Sequence, residues 1–322
     1  MKLPAGVRDW LPAELTRKRA VEASIRAVFA ASGYDEVETP ATERYETLLT
    51  GLGEHVAAQT YRFDDRRGTQ LALRPEMTTS IARLVSTRLR DDLPLRLSYV
   101  ARAFRFEEPQ EGRMREFTQA GLEYLGVASA DADAEALFTA ITALDAVGLS
   151  TMQIDINHVA VLDGVLASVG VPAGLSLEVK RLLSTRNLVE LQALLEPRYP
   201  VAARELFALA LARGQGELLG RLQPWCQSES AQDGIKRLQF LLDEAQKRGL
   251  EHRITVDPTL LRGLGYYTGM VFEGYVGELG FPLCGGGRYD DLLPRFGLEA
   301  PAVGWSVGIE RILLALERQG VR

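Results

Sequence analysis

The chain has 322 residues, long enough for about two domains with a sizeable core. Hydrophobic residues make up 46% and charged residues 25%, as in an ordinary globular protein, and the formal net charge of −6 argues against a surface built to neutralise nucleic-acid phosphates. The two cysteines, Cys226 and Cys284, lie far apart, and the three histidines (His55, His158, His252) form no ligand-spaced cluster, so no disulfide framework, metal site or cofactor is expected.

The opening "MKLPAGVRDWLPAEL" has no apolar signal region, and no window is apolar for long enough to cross a bilayer. A reduced, cytoplasmic protein away from the membrane is expected. Residues 13–32 carry apolar side chains at helical spacing and stop at Gly33. "DEVETP" reads as a short strand closed by Pro40. "TYRFDDRRGTQLALRP" reads as a hairpin turning at Asp64–Gly68. "PEMTTSIARLVSTRL" is the next helix, with Pro75 near its first position and Thr78 in its first turn.

Two longer strands, "LRLSYVARAFRFE" and "REFTQAGLEYLG", flank the polar loop "EPQEGRM". Residues 131–148 are helical and "MQIDINH" is a strand. From 159 to 250 Leu, Ala, Glu and Arg dominate in helical runs, the texture of an inserted helical domain. Strands return at "HRITVD", "GMVFEGYV" and "FPLCGGGRYDDL", and "GIERILLALERQG" closes with an amphipathic helix. Hairpin-linked strands with helices between them favour an α+β fold on an antiparallel sheet, with a core of residues 1–158 and 251–322 and a helical insertion at 159–250. The phosphate loops GxxxxGK[ST] and GxGxxG are absent.

Candidate site residues come in four groups. Arg105 and Glu107 alternate with Phe104 and Phe106, and Arg113 and Arg115 repeat the alternation after the loop, which suits a carboxylate or phosphate or else a solvated, salt-bridged hairpin face. Gln119, Gly121 and Glu123 share one strand face. Glu76 stands at a helix start, where free N–H groups favour an anion, as a ligand contact or a plain first-turn glutamate. Arg262, Tyr266 and Tyr267 in "RGLGYYTGMVFEGY" line a pocket or are ordinary core and surface residues, and Arg311 after "GWSVGIE" faces a site or water.

In this order the segments resemble the catalytic core of histidyl-tRNA synthetase, a class II aminoacyl-tRNA synthetase fold. "PAGVRDWLP" is similar to the first class II motif, "FRFEEPQEGRMREFTQ" to the second and "VGWSVGIERILLAL" to the third. "LRPEMTTSIARL", "RGLGYYTGMVFE" and "GGGRYDDL" are similar to segments specific to the histidine members. The resemblance implies that Glu76 and Thr78 hold the histidine α-amino group and Gln119 its carboxylate. Glu123 would accept an imidazole N–H, and Tyr266 and Tyr267 would close the ring's pocket. Arg105, Arg113, Arg262 and Arg311 would face the carboxylate and ATP phosphates, with Arg113, Arg115 and Arg311 as a residual phosphate set.

The departures form a pattern. About ten residues follow Leu314, where the synthetases continue into an anticodon-binding domain, so no such domain is expected. Gly265 stands where the signature has aspartate, Thr118 replaces a frequent histidine, and Phe106 and Glu108 stand where histidine and arginine are usual. Glu107, Glu108 and Glu111 make the loop acidic, which disfavours a tRNA end. These features resemble the regulatory-subunit family of ATP phosphoribosyltransferase, synthetase paralogues of histidine biosynthesis. That resemblance implies a non-catalytic subunit that binds L-histidine, pairs with the short-form catalytic subunit, supports its activity and conveys histidine feedback. It also implies a homodimer within a larger hetero-oligomer, and no tRNA. A freestanding histidine-activating enzyme and a structural module with a vestigial pocket are the alternatives.

Overall fold

The computed structural model describes residues 2–108, 114–263, 266–277 and 279–320. The chain divides into two compact units, one of Met1–Met152, Gly263–Tyr266 and Tyr275–Arg322, the other of Gln153–Arg262 and Tyr267–Gly274.

In chain order the first unit contains α1 (Pro12–Ala31), β1 (Asp35–Glu36), β2 (Thr42–Arg44), α2 (Tyr45–Gly51), α3 (Glu54–Ala58), β3 (Arg62–Asp64), β4 (Gln70–Leu73), α4 (Thr78–Arg88), β5 (Leu95–Phe104), β6 (Glu116–Leu125) and α5 (Ala130–Ala146). The second supplies β7 (Gln153–His158), α6 (Val159–Ser168), α7 (Ala173–Ser184), α8 (Leu188–Leu195), α9 (Pro200–Leu211), α10 (Gly216–Leu222), α11 (Glu229–Lys247), β8 (Ile254–Val256) and β9 (Met270–Tyr275). The first unit resumes with β10 (Cys284–Arg288), β11 (Ala302–Gly308) and α12 (Ile309–Arg318).

Within the first unit the strand order is β1-β5-β6-β11-β10, with β2-β4-β3 as a separate small sheet. β5 and β6 pair antiparallel over ten residues, from Leu95↔Leu125 to Phe104↔Glu116, and β6–β11 and β11–β10 are antiparallel as well. Only the edge strand β1 runs parallel to its neighbour. Val21, Ile25 and Phe29 of α1 are buried, and Phe29 meets Trp305 of β11 edge-on at 5.7 Å. Lys18, also buried, donates to Thr118 Oγ1 of β6 (2.6 Å) and Glu310 Oε1 of α12 (2.8 Å), which ties both helices to one face of the sheet. In the β3–β4 hairpin Asp65 accepts from the amides of Arg67 and Thr69, and Gly68 takes the left-handed φ of 78° that the turn requires.

In the second unit the strand order is β9-β7-β8, with β7 and β8 parallel. Its charged centre is Asp257, which follows β8. Arg213 Nη1 and the amide and hydroxyl of Thr259 donate to Oδ1 (2.7, 3.0 and 2.8 Å), and Arg186 Nη2 donates to Oδ2 at 2.5 Å. Arg186 adopts a left-handed φ of 56°, a conformation that costs a non-glycine residue roughly 1 kcal/mol. Its guanidinium also donates to the Ala210 carbonyl, so the strain is held by both ends of that side chain.

Candidate functional site

Strand alternation decides which side chains of β6 meet. Thr118 faces Lys18 of α1, so Gln119, Gly121 and Glu123 lie on the other face. In register with Glu123 stands Gly304 of β11. A Cβ at Gly304 would lie 1.9 Å from Glu123 Oε2, so the carboxylate lies across β11 because position 304 has no side chain. Gly121 plays the same part for Tyr99 of β5, whose hydroxyl a Cβ would meet at 2.4 Å.

Glu76 lies just before α4, not inside it. The sequence places Pro75 near the first helical position, whereas α4 begins at Thr78. The reason lies in the hydrogen bonds: Glu76 Oε2 accepts from the Thr78 amide (2.6 Å) and Oε1 from the Thr79 amide (2.8 Å). The carboxylate thereby caps two of the helix's orphan N–H groups and lies at the positive end of its dipole.

Thr78 then links the two acids, since its hydroxyl donates to Glu123 Oε1 at 2.8 Å. The Tyr289 hydroxyl donates to Glu123 Oε2, and Tyr266 meets the Tyr289 ring edge-on at 5.6 Å. Gln119 Oε1 accepts from the Met77 amide at 3.1 Å. Glu76, Thr78, Gln119, Glu123 and Tyr266 are thus brought together in one buried cluster of the first unit. Tyr289 and Tyr99 belong to it and were not singled out from the sequence. Tyr289 sits 166 positions from Glu123, and nothing in the local pattern of "GGGRYDDL" points to that partner.

Among the described residues no arginine or lysine pairs with Glu76 or Glu123. Glu123 is 1% exposed. Loss of solvation pushes its carboxyl up to about 8, against the hydrogen bonds from Tyr289, Thr78 and Tyr99, and the charge of Glu76 adds to the rise. Burial raises the Tyr289 phenol well above its ordinary range, and the neighbouring Glu123 charge raises it further.

The arginines are placed differently from the expectation of one alternating strand. β5 ends at Phe104; the Arg105 amide still donates to the Arg115 carbonyl at 2.9 Å, and the chain leaves the ladder at Phe106, whose amide goes to the Gln59 carbonyl at 2.7 Å. Arg105 donates to the Pro75 carbonyl (2.8 Å), lies 3.9 Å from Glu107 and stacks over Phe117. Arg115 donates to the Glu107 carbonyl (2.9 Å) and lies over Phe106 at 4.2 Å. Arg311 donates to the Pro282 carbonyl (2.8 Å) and lies over Phe281. Arg113, Glu111 and Gly265 lie outside the described residues. In the second unit Arg262 pairs with Glu273 at 3.0 Å and sits 5.8 Å from the Tyr267 ring centre. Among the described residues no group of His, Cys, Asp and Glu could hold a metal ion, and no helix is long and apolar enough to cross a membrane.

Comparison with known proteins assigns this antiparallel core to the class II, histidyl-tRNA synthetase-like fold. The family model described as histidyl-tRNA synthetase matches residues 6–312. Over 98% of its length the chain is 42% identical to the ATP phosphoribosyltransferase regulatory subunits of Desulforamulus reducens and Moorella thermoacetica, covering 79% and 82% of those proteins. A solved structure from Bacillus halodurans C, described as an ATP phosphoribosyltransferase regulatory subunit/histidyl-tRNA synthetase, aligns with a TM-score of 0.90 at 33% identity, over 98% of this chain and 83% of that one. The chain belongs to the histidyl-tRNA synthetase-like family and, within it, to the regulatory subunits of ATP phosphoribosyltransferase. Its place in the enzyme is regulatory, not catalytic.

Proposed function

We propose that this chain binds L-histidine through Glu76, Thr78, Gln119, Glu123 and Tyr266, and that it joins a short-form ATP phosphoribosyltransferase catalytic subunit, supports its activity and conveys histidine feedback to it. The observation that carries the reading is the pair of buried carboxylates with no cation of their own among the described residues, which suits a ligand bearing an ammonium group and a basic ring. The curated relatives named as regulatory subunits support the partner and the feedback role. Arg105, which donates to the Pro75 carbonyl beside Glu76, is assigned the ligand carboxylate in this reading. Arg262 and Tyr267 enter the proposal from the motif "RGLGYYTGMVFE" alone. Arg113, Arg115 and Arg311 keep their assignment as a residual phosphate set on the same footing.

The rest of the reading is a cytoplasmic homodimer inside a larger hetero-oligomer, with residues 159–250 as a helical insertion in a class II core and no tRNA as partner. Leu3, Leu11 and Leu15 are exposed along the N-terminal stretch and the start of α1, where self-association would cover them. Light scattering should return a dimer at micromolar concentration.

The decisive measurement is transferase activity of the complex reconstituted with the short catalytic chain. Activity should depend on this subunit and fall with added histidine. Glu123→Ala should weaken histidine binding by about 1–3 kcal/mol in calorimetry and raise the histidine needed for inhibition in step. Inhibition left unchanged in a variant that no longer binds histidine would move the sensor elsewhere.

A further inference from the structure

The cluster around Glu123 can be read for what it asks of a ligand's charge. Glu76 satisfies its two oxygens with backbone amides, and Glu123 satisfies its own with hydroxyls. Among the described residues the groups that act on Glu123 are neutral or acidic: Thr78 from α4, Glu76 before it, Tyr99 from β5 and Tyr289 after β10, with Tyr266 behind Tyr289. Two anions buried side by side without a cation are unfavourable, and a group in that position neutralises itself by keeping a proton. Gly304 fixes where that carboxyl lies, because a Cβ there would occupy the place of Oε2, the oxygen that accepts from the Tyr289 hydroxyl.

We propose that Tyr289, with Gly304 beneath the carboxylate, is a positioning residue that makes the pocket select a basic azole, one able to share a single proton with Glu123, over isosteric rings that cannot take it. This rests on the histidine reading above and deepens it. The complex holds one proton between carboxylate and ring, drawn onto the more basic ring nitrogen, so that imidazolium donates to carboxylate. The empty pocket keeps that proton up to about pH 8, and free imidazole lacks one above about pH 6.5. Between those values binding exchanges no proton with solvent. Above them the complex must take a proton up, and below them it must release one, so affinity falls on both sides by up to about tenfold per pH unit.

The test is calorimetry of the full chain with L-histidine and with 1,2,4-triazole-3-alanine, an isostere too weakly basic to be protonated near neutrality. Runs in buffers of different ionisation enthalpy report the protons exchanged. The expected result is a histidine affinity that peaks between about pH 6.5 and 8, with proton exchange changing sign across that window. The triazole should bind at least tenfold more weakly at pH 7. Tyr289→Phe removes a bond that favours the ionised carboxylate, so it should move the high-pH limb upward and leave the low-pH limb in place. A purely structural role would lower affinity without moving either limb. Thr78→Val, which removes the other hydroxyl donor, must shift the same limb the same way and serves if the tyrosine variant does not fold. Histidine binding that is flat with pH, or equal binding of the triazole, overturns the shared proton while leaving histidine recognition intact. Failure of both compounds to bind at any pH removes the histidine reading and this inference together.

Discussion

Asp257 and Glu123 are both buried, and both carboxylates have each oxygen in a hydrogen bond, but their donors are of different kinds. Asp257 is held by two guanidiniums, Arg186 and Arg213, together with Thr259. Glu123 is held by the hydroxyls of Thr78 and Tyr289, with a second acid, Glu76, one residue's bonds away. In the second unit the protein supplies the countercharge from its own chain, and the result is a brace between the loop after β8 and the helical segment. Glu123, in the first unit, is given no described cation, and its buried carboxyl keeps a proton in place of a countercharge. Burial by itself therefore does not distinguish a brace from a site, but the charge of the donors does.

The largest expected effect breaks the brace. Asp257→Ala leaves Arg186 and Arg213 without the acid they share and leaves the left-handed Arg186 with the Ala210 carbonyl as acceptor. A loss of about 2–4 kcal/mol is expected, nearer the low end because both arginines are partly exposed. Urea unfolding measures it, and a midpoint within error of the parent chain would mean that Asp257 braces nothing.

Glu123→Gln sharpens the other side. The native carboxyl titrates near 8 against an ordinary 4.5, so between those values the folded state holds a proton that the unfolded state has given up. Raising pH through that window therefore costs the parent chain stability, and a glutamine has nothing to lose there. The melting temperature of the variant relative to the parent should climb from pH 4.5 to pH 8, by an amount worth about 1–3 kcal/mol. A difference constant with pH would show that Glu123 is ionised in the folded protein.

The smallest effect belongs to an exposed acid. Glu46 pairs with Arg44 at 3.1 Å with both side chains largely in water. Glu46→Gln should change stability by about 0.5 kcal/mol or less, since solvent already screens the pair. A change as large as that of Asp257→Ala would undo the distinction drawn from burial and donor type.

Much of this was legible in the primary structure, and the exceptions share a cause. The hairpin, read as turning at Asp64–Gly68, the long strands β5 and β6 and the amphipathic α12 follow from local pattern: turn residues, period-two alternation and a 3.6-residue stripe. The alternation of Gln119, Gly121 and Glu123 was readable for the same reason. The strand expected through Glu107 stops short because the Gln59 carbonyl, 47 positions earlier, takes the amide of Phe106, while the Arg105 amide still bonds the Arg115 carbonyl. The start of α4 was misplaced because a side chain, that of Glu76, caps it from outside.

By itself the sequence determined the α+β class, the helical run through 159–250, the family through its motifs and the acid, amide and phenol residues that meet in the buried cluster. Those properties are local or additive, and a period or a short motif is enough to carry them. Only the tertiary structure decided that Tyr289 and Tyr99 join Glu123, that Gly304 clears the space for its carboxylate and that no described cation accompanies the two acids. Register between β6, β11 and β10 sets those relations, and the ionisation of Glu123 follows from the solvent they exclude. Neighbours made by strand pairing across the chain, and the dielectric they create, exist only once the sheet has closed.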